Sequence, residues 1–370
     1  MRAAFIIAAK RTPVCPRNGA FRALAVSELG AGAIGPLLDV AGCAGDEINE
    51  IIVGNALYGG GNPARVIALR TGLPERLPAL TIDTQCCAGL DAILLAATLV
   101  QAGRAEVVIA GGAESFSRSP LRFHRPLESH VAPAEYQRPP FSPWPARDPD
   151  PFAAAGAFAE ARRFARVEQE AFACDSHRKA RSADHGDEFA SLAGVDRDAF
   201  ARALTPAACA RLPALAGLGD YAVTAATAAV EADGAAFVLV ASEAAALRLG
   251  AAHACRIVAG ARVGCPPDAP LLGAQLAAGK VMAANTKPVA EIMEAFACQA
   301  MGAVADLALD EAMVNRGGGA LSRGHPIGAS GAILAVRLFH ELAREAPGAA
   351  GLAAIAAMGG LGSALLLERA

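Results

Sequence analysis

The sequence predicts an α/β protein of two similar halves, with a mostly helical lobe inserted into the first. Three observations predict it. Apolar strand-like runs alternate with helical stretches, the texture of helices covering the faces of a sheet. Residues 119–222 break that texture: PPFSPWPARDPDP carries six prolines between Pro139 and Pro151, which forbids a continuous helix or a central strand. The last third then echoes the first. TQCCAGLDAILLAATLVQAG and RAEVVIAGGAES are matched by GHPIGASGAILAVRLFHELARE and GLAAIAAMGGLGSALLLE. In both, a helix opens near a chemically interesting residue and the next strand runs into Gly-Gly, which reads as an internal duplication.

The elements follow in order. AAFIIAA opens as a strand, SELGAGAIGPLLDVAG as a helix and EIIVGNAL as a second strand. A helix runs from Gly89 to Gly103, and EVVIAGGAES follows as a strand. Such alternation predicts parallel pairing. In the insert, AEARRFARVEQEAFACDSHRKARSADH reads as one strong helical stretch. From Arg118 to Arg181 eleven Arg/Lys face eight Asp/Glu, a mild basicity that suits a phosphorylated ligand or simply a solvated surface. The α/β texture resumes at DGAAFVLVASEAAAL, and GLAAIAAMGGLGSALLLE reads as two strands around a Gly-Gly turn. The expected units are residues 1–118 with 223–242, the insert 119–222, and residues 243–370.

A chain of 370 residues buries a large core, and with 54% apolar but only 5% aromatic residues that core is built of Ala, Val, Leu and Ile. The net charge of -3 argues against nucleic-acid or anionic-membrane partners. No basic stretch followed by an apolar run opens the sequence, so no secretory signal is read. No uninterrupted apolar run is long enough to span a bilayer. The nine cysteines are odd in number and lack C-x-x-C spacing. They read as reduced thiols of a cytoplasmic protein, most of them small core residues.

Two residues stand out chemically. One is a member of the doublet Cys86-Cys87, in TQCCAG, at the start of a buried helix, where free N–H groups and the helix dipole favour a thiolate and offer donors to an oxyanion. His325, in GGGALSRGHPIGASGA, lies in a glycine-dense loop at the mouth of another helix. There an imidazole has room to donate a hydrogen bond or shuttle a proton.

These two stretches together resemble the thiolases, acyl-CoA acyltransferases. AAKRTPV, GGNPARVIALRTGLP, EQEAFACDSHRKA and AVTAATAAVEADGAA are similar to that family in the same order, so the resemblance covers essentially the whole chain. It implies the thiolase fold, two pseudo-repeated α-β-α-β-α halves with a loop domain over coenzyme A. Cys86 matches the nucleophile of the C-x-S-G motif, with Cys87 as its neighbour, and His325 matches the activating histidine of GHP. No permanently bound cofactor is implied. Coenzyme A and acyl-CoA enter as substrates, and the assembly implied is a homodimer or homotetramer.

The pattern breaks in three places. The family's Asn-Glu-Ala-Phe motif reads Met293-Glu294-Ala295-Phe296, and a thioether cannot replace the amide that holds an oxyanion-hole water. At the C-terminal C-x-G motif, whose cysteine is the family's general base, stand Ala356 and Met358 ahead of Gly359. Met293, Met358 and Gly359 are therefore candidates for the altered oxyanion or acyl pocket, and Cys298 is a candidate surrogate base. A serine of the coenzyme A loop falls at about Ala229; Arg118, Arg122 and His124 are candidate phosphate contacts.

The expected function is acyl transfer between CoA thioesters through an acyl-cysteine at Cys86, by C-acyltransfer or thiolysis of a 3-ketoacyl-CoA. One alternative keeps the acyl-enzyme and changes the second step to hydrolysis, heteroatom transfer or decarboxylative condensation. Another is a non-catalytic CoA-binding subunit with a hetero-partner.

Overall fold

The computed structural model describes residues 2–283 and 286–370. Ala284 and Asn285, which open the ANTKPVAEI stretch, lie outside the described residues. The first half runs β1 (Ala4–Arg11), α1 (Val26–Ala41), β2 (Glu50–Gly54), α2 (Pro63–Arg70), β3 (Ala79–Ile82), α3 (Ala88–Gln101) and β4 (Val107–Ser115). The chain then leaves the sheet, builds α4 (Pro151–Arg162) and α5 (Arg166–Ser182), and returns as β5 (Ala232–Ser242). The second half runs β6 (Cys255–Gly264), α6 (Gly273–Val281), β7 (Val289–Ile292), α7 (Ala297–Asp306), α8 (Ile327–Leu342), β8 (Ala350–Ala357) and β9 (Leu361–Arg369).

The strands order as β3-β2-β4-β5-β1 and β7-β8-β9-β6, joined where Phe5 and Ile6 pair with Arg256 and Cys255. Pairs β1–β5 and β5–β4 are antiparallel, while β4–β2 and β2–β3 are parallel. The second ladder repeats this: β6–β9 and β9–β8 antiparallel, β8–β7 parallel. The duplication read in the sequence is thus present in the topology. The expectation of parallel pairing is corrected around β5 and β9. The chain reverses from β8 into β9 through a tight turn in which Gly359 and Gly360 take φ of +80° and +79°, and so tight a connection joins only antiparallel neighbours. In the first half the insert occupies that place and makes the same reversal.

Alternate residues of each strand enter different spaces. Ile51, Val53, Val107 and Ile109 pack under α1 through Leu29, Ile34 and Leu37. Ile52, Val108 and Ala110 meet Leu90 and Ile93 of α3 and Leu334 and Leu338 of α8, which also meet Ala353, Ile355 and Leu365 of the second sheet. Leu352, Ala354 and Leu366 face α6. The layers run α-β-α-β-α, with α3 and α8 as a middle layer shared between the halves. Sheets covered on both faces explain why the strands read as continuous apolar runs.

The helical stretch of the insert is two helices. Arg163 at φ +56° closes α4, and Ala165 is extended before α5 begins. The Gln169 amide donates to Phe164 O at 3.0 Å across the corner. No Gly or Pro marks this break, so residue pattern alone concealed it. The segment after α5 is anchored between the halves: Glu188 accepts from Arg11 Nε of β1 and from Arg337 Nη1 of α8, each at 2.6 Å. Among the described residues no helix is long and apolar enough to cross a membrane.

Candidate active site

The two central helices bring the candidate residues together because each carries a glycine at their crossing. A Cβ on Gly89 would lie 2.8 Å from both Ala332 N and Gly328 O, and one on Gly331 would lie 2.6 Å from Leu90 N. Only backbone without side chain permits that approach. Cys86 lies in a tight turn, Gln85–Cys87, that leads into α3. Gln85 is left-handed at φ +56° and donates its N–H to Asp83 Oδ1 at 2.8 Å. The turn is also held by Asp91, which accepts from Thr84 Oγ1 at 2.7 Å and from Ser363 Oγ at 2.6 Å. His325 is pinned by its own N–H, which donates to Val230 O at 2.8 Å.

His325 Nε2 lies 3.2 Å from Cys86 Sγ, and Nδ1 lies 2.6 Å from Ser330 Oγ. The Ser330 hydroxyl donates to Pro326 O at 3.0 Å, one turn back along α8. With the serine proton so directed, Nδ1–H donates to Oγ, the tautomer in which Nε2 can accept the thiol proton. Nε2 faces the thiol. Ser330 is a site residue that the sequence reading missed, although a serine inside the helix that opens at GHP was a usable signal. Replacing Ser330 with alanine frees the other tautomer, and Cys86 acylation is expected to slow roughly tenfold, the worth of one hydrogen bond. Wild-type acylation kinetics in Ser330→Ala would contradict this.

Burial pushes the Cys86 thiol up to about 12, outweighing the lowering by its own N–H. Burial likewise pulls His325 down to about 4. The resting pair is therefore a neutral thiol and a neutral imidazole: desolvation outweighs the helix-start effect that favours a thiolate. A second unforeseen residue is Glu114, at the end of β4. It accepts from Ala56 N at 2.9 Å and Gly328 N at 3.0 Å, tying the start of α8 to the 55–57 loop. Burial raises its carboxyl to about 7, against the lowering effect of those N–H donors.

Cys86 and His325 open onto a cavity of about 430 Å³. Its wall is largely apolar, with Phe116, Phe141, Phe152, Leu271, Phe296 and Met358, and much of it comes from the insert. Arg17, Arg122 and Arg138 also line it. Arg17 is paired with Glu231 and Arg138 with Asp148. Arg122, donating to Ala56 O, is the wall cation outside an ion pair among the described residues. Among those residues no cluster of three or more His, Cys, Asp or Glu is placed to hold a metal.

The thiolase N-terminal domain family model matches residues 4–244, and the thiolase C-terminal domain model matches residues 251–369. The chain belongs to the thiolase family. An acetyl-CoA acetyltransferase of Thiocystis violacea is 35% identical over 399 residues, covering 98% of each chain. Among solved structures, the Acat5 thiolase of Ascaris suum in complex with coenzyme A superposes with a TM-score of 0.91 at 28% identity, covering 100% of each chain. The acetyl-CoA acetyltransferase of Bacillus anthracis superposes at 0.87 and 28% identity, over 100% of this chain and 99% of that one.

Within this thiolase the remaining candidates fall in different places. Ala356, Ala357 and Met358 line the cavity, as does Ala229. Gly359 does not line it; its left-handed turn packs against Phe141, whose carbonyl would be 3.0 Å from a Cβ there. Met293, the remaining oxyanion or acyl-pocket candidate, does not line the cavity. It is buried in the central core, off the cavity, and its N–H donates to Ala354 O at 3.0 Å. Cys298, the candidate surrogate base, does not line the cavity either. It packs in a separate apolar cluster, donates to Ala155 O at 3.5 Å, and burial pushes it to about 12. Of the three phosphate candidates only Arg122 reaches the wall. Arg118 is exposed, and His124 stacks on Tyr136 at 4.3 Å within an exposed hairpin.

Proposed function

We propose that this thiolase-family acyltransferase works through a covalent acyl-cysteine at Cys86, taking its acyl group from acyl-CoA for transfer between CoA thioesters. The observation that carries the reading is the 3.2 Å contact between Cys86 Sγ and Nε2 of His325, both on the wall of a largely apolar cavity. Sγ attacks the thioester carbonyl while Nε2 takes its proton. The Cys86 N–H is the donor we assign to the developing oxyanion. The CoA sulfur then leaves with the proton held on Nε2. Of the cavity cations, Arg122 is the one we assign to a CoA phosphate. The relatives named acetyl-CoA acetyltransferases support the CoA thioester as substrate. A homodimer or homotetramer remains our expectation for the assembly.

Intact-mass spectrometry after incubation with acetyl-CoA or butyryl-CoA tests the reading. One acyl group is expected per chain, lost in Cys86→Ala. An unmodified wild-type chain with every acyl-CoA would refute the acyl-enzyme.

A further inference from the structure

We propose that Cys174 and Cys209 form a thiol–disulfide exchange site, which a small-molecule disulfide such as oxidised glutathione converts into a cross-link that braces the insert. The site is separate from the chemistry at Cys86, because neither sulfur lines the cavity. Cys174 lies on α5 and Cys209 in the short turn Pro206–Cys209, 35 positions later. Their sulfurs are 3.9 Å apart, and both thiols are free. A disulfide brings its sulfurs to about 2.05 Å, so closure asks each side chain to swing by about 1 Å. Cys87, Cys265 and Cys298 instead donate to main-chain carbonyls.

The backbone on either side holds the two cysteines together. Arg166, which opens α5, donates through Nε to Glu170 at 2.7 Å and through Nη2 to Cys209 O at 3.1 Å and Leu212 O at 2.8 Å. Beyond Cys174 on the same helix, His177 Nδ1 accepts from Arg202 N at 3.2 Å. The helix and the 202–212 segment are thus tied together on both sides of the sulfur contact. Thr205 fixes the turn itself: its Oγ1 accepts from Ala208 N at 3.3 Å, and its carbonyl accepts from Cys209 N at 3.1 Å.

Burial sets the order of events. Cys174 is half-buried and Cys209 fully buried, so a reagent reaches Cys174 first. Burial, with the Cys174 sulfur beside it, pushes the Cys209 thiol up to about 12. That thiol resists reagents by itself and reacts with its neighbour. In the first step the Cys174 sulfur attacks one sulfur of the reagent. The reagent's S–S bond breaks, and one small thiol departs with the proton that Cys174 gave up. Cys209 then attacks the Cys174 sulfur of the mixed disulfide, and the second small thiol leaves with the Cys209 proton. Two protein thiols are oxidised, and one small disulfide is reduced to two thiols. Between α5 and Pro206 the chain has no helix or named strand of its own among the described residues. Closing that loop removes chain entropy from the unfolded state, which is how a cross-link here braces the insert.

The test incubates the full, folded chain with oxidised glutathione, digests it with trypsin without reduction and maps the products by mass spectrometry. Tryptic peptides 167–178 and 203–211 each carry one of the two cysteines. They are expected joined, lighter by two hydrogen atoms than their sum, and separable by dithiothreitol. This pairing should outnumber every other cysteine pairing roughly tenfold or more, because the two sulfurs are already held in contact. The urea midpoint of the oxidised chain should rise and return on reduction. Cys174→Ser keeps the size of a half-buried side chain and should remove both the joined peptide and the midpoint rise, while Cys86 still acylates at the wild-type rate. Glutathione retained on Cys174 with Cys209 free, or both thiols unmodified, would overturn the proposal. So would a joined pair that is no commoner than the other pairings, or one that leaves the urea midpoint where it was.

Discussion

Replacing His325 with alanine is expected to slow Cys86 acylation by roughly 10²–10⁴-fold, the usual contribution of a positioned general base. The reason lies in the resting state. Burial holds the thiol near 12 and the imidazole near 4, so almost no thiolate exists before the substrate arrives. The sulfur becomes nucleophilic only while Nε2 removes its proton, and no other side chain hydrogen-bonds to Sγ among the described residues. The same burial sets the pH profile. An ordinary histidine protonates as pH falls through about 6.5. His325, with its value lowered to about 4, stays neutral there. Single-turnover acylation should therefore be nearly flat between pH 5.5 and 8, followed by stopped acid quench and intact mass. A loss of rate centred near pH 6.5 in the wild type, or an unaltered rate in His325→Ala, would contradict this account.

Glu188→Ala is expected to cost about 3–5 kcal/mol of stability, the usual effect of removing one partner from a buried charge pair. Glu188, Arg11 and Arg337 are all fully buried. Arg11 retains a bidentate contact with Asp198 at 2.7 and 2.9 Å, and Arg337 retains Glu341 at 2.9 Å. Neither fills the space between the two guanidinium groups. Burial alone would raise the Glu188 carboxyl, but Arg11 and Arg337 hold it well below the usual range. With the folded value depressed, its contribution is fully present above the unfolded value of about 4.3 and is lost as pH falls through the folded one. Urea titration at pH 7 should show the full loss of midpoint, and the gap to wild type should narrow in strong acid. A variant as stable as wild type at pH 7 would show that the network is not holding the insert to the two halves.

The order of helices and strands was largely legible because its signals are local. Apolar runs, alternation and the Gly-Gly turn act over a few residues, and the repeated pattern exposed the pseudo-symmetry later visible in the two ladders. Strand direction was less so. The antiparallel partners of β5 and β9 follow from where the chain reverses, and in the first half that reversal spans the whole insert. The break at Arg163 carried no glycine or proline, and its conformation depends on tertiary packing.

For the site, the sequence alone determined that Cys86 opens a helix and that His325 opens another after a glycine-rich loop. It also determined that no cysteine stands at Ala356. Only the tertiary structure decided that these residues meet, across 239 positions, because α3 and α8 cross at Gly89 and Gly331. It likewise sent Met293 and Cys298 into the core and made Ser330 the partner of the imidazole. Local preference acts between neighbours in sequence. Side-chain direction and desolvation are set by whichever distant segments pack against a residue, and here they decided both which groups face the cavity and which of them hold a proton.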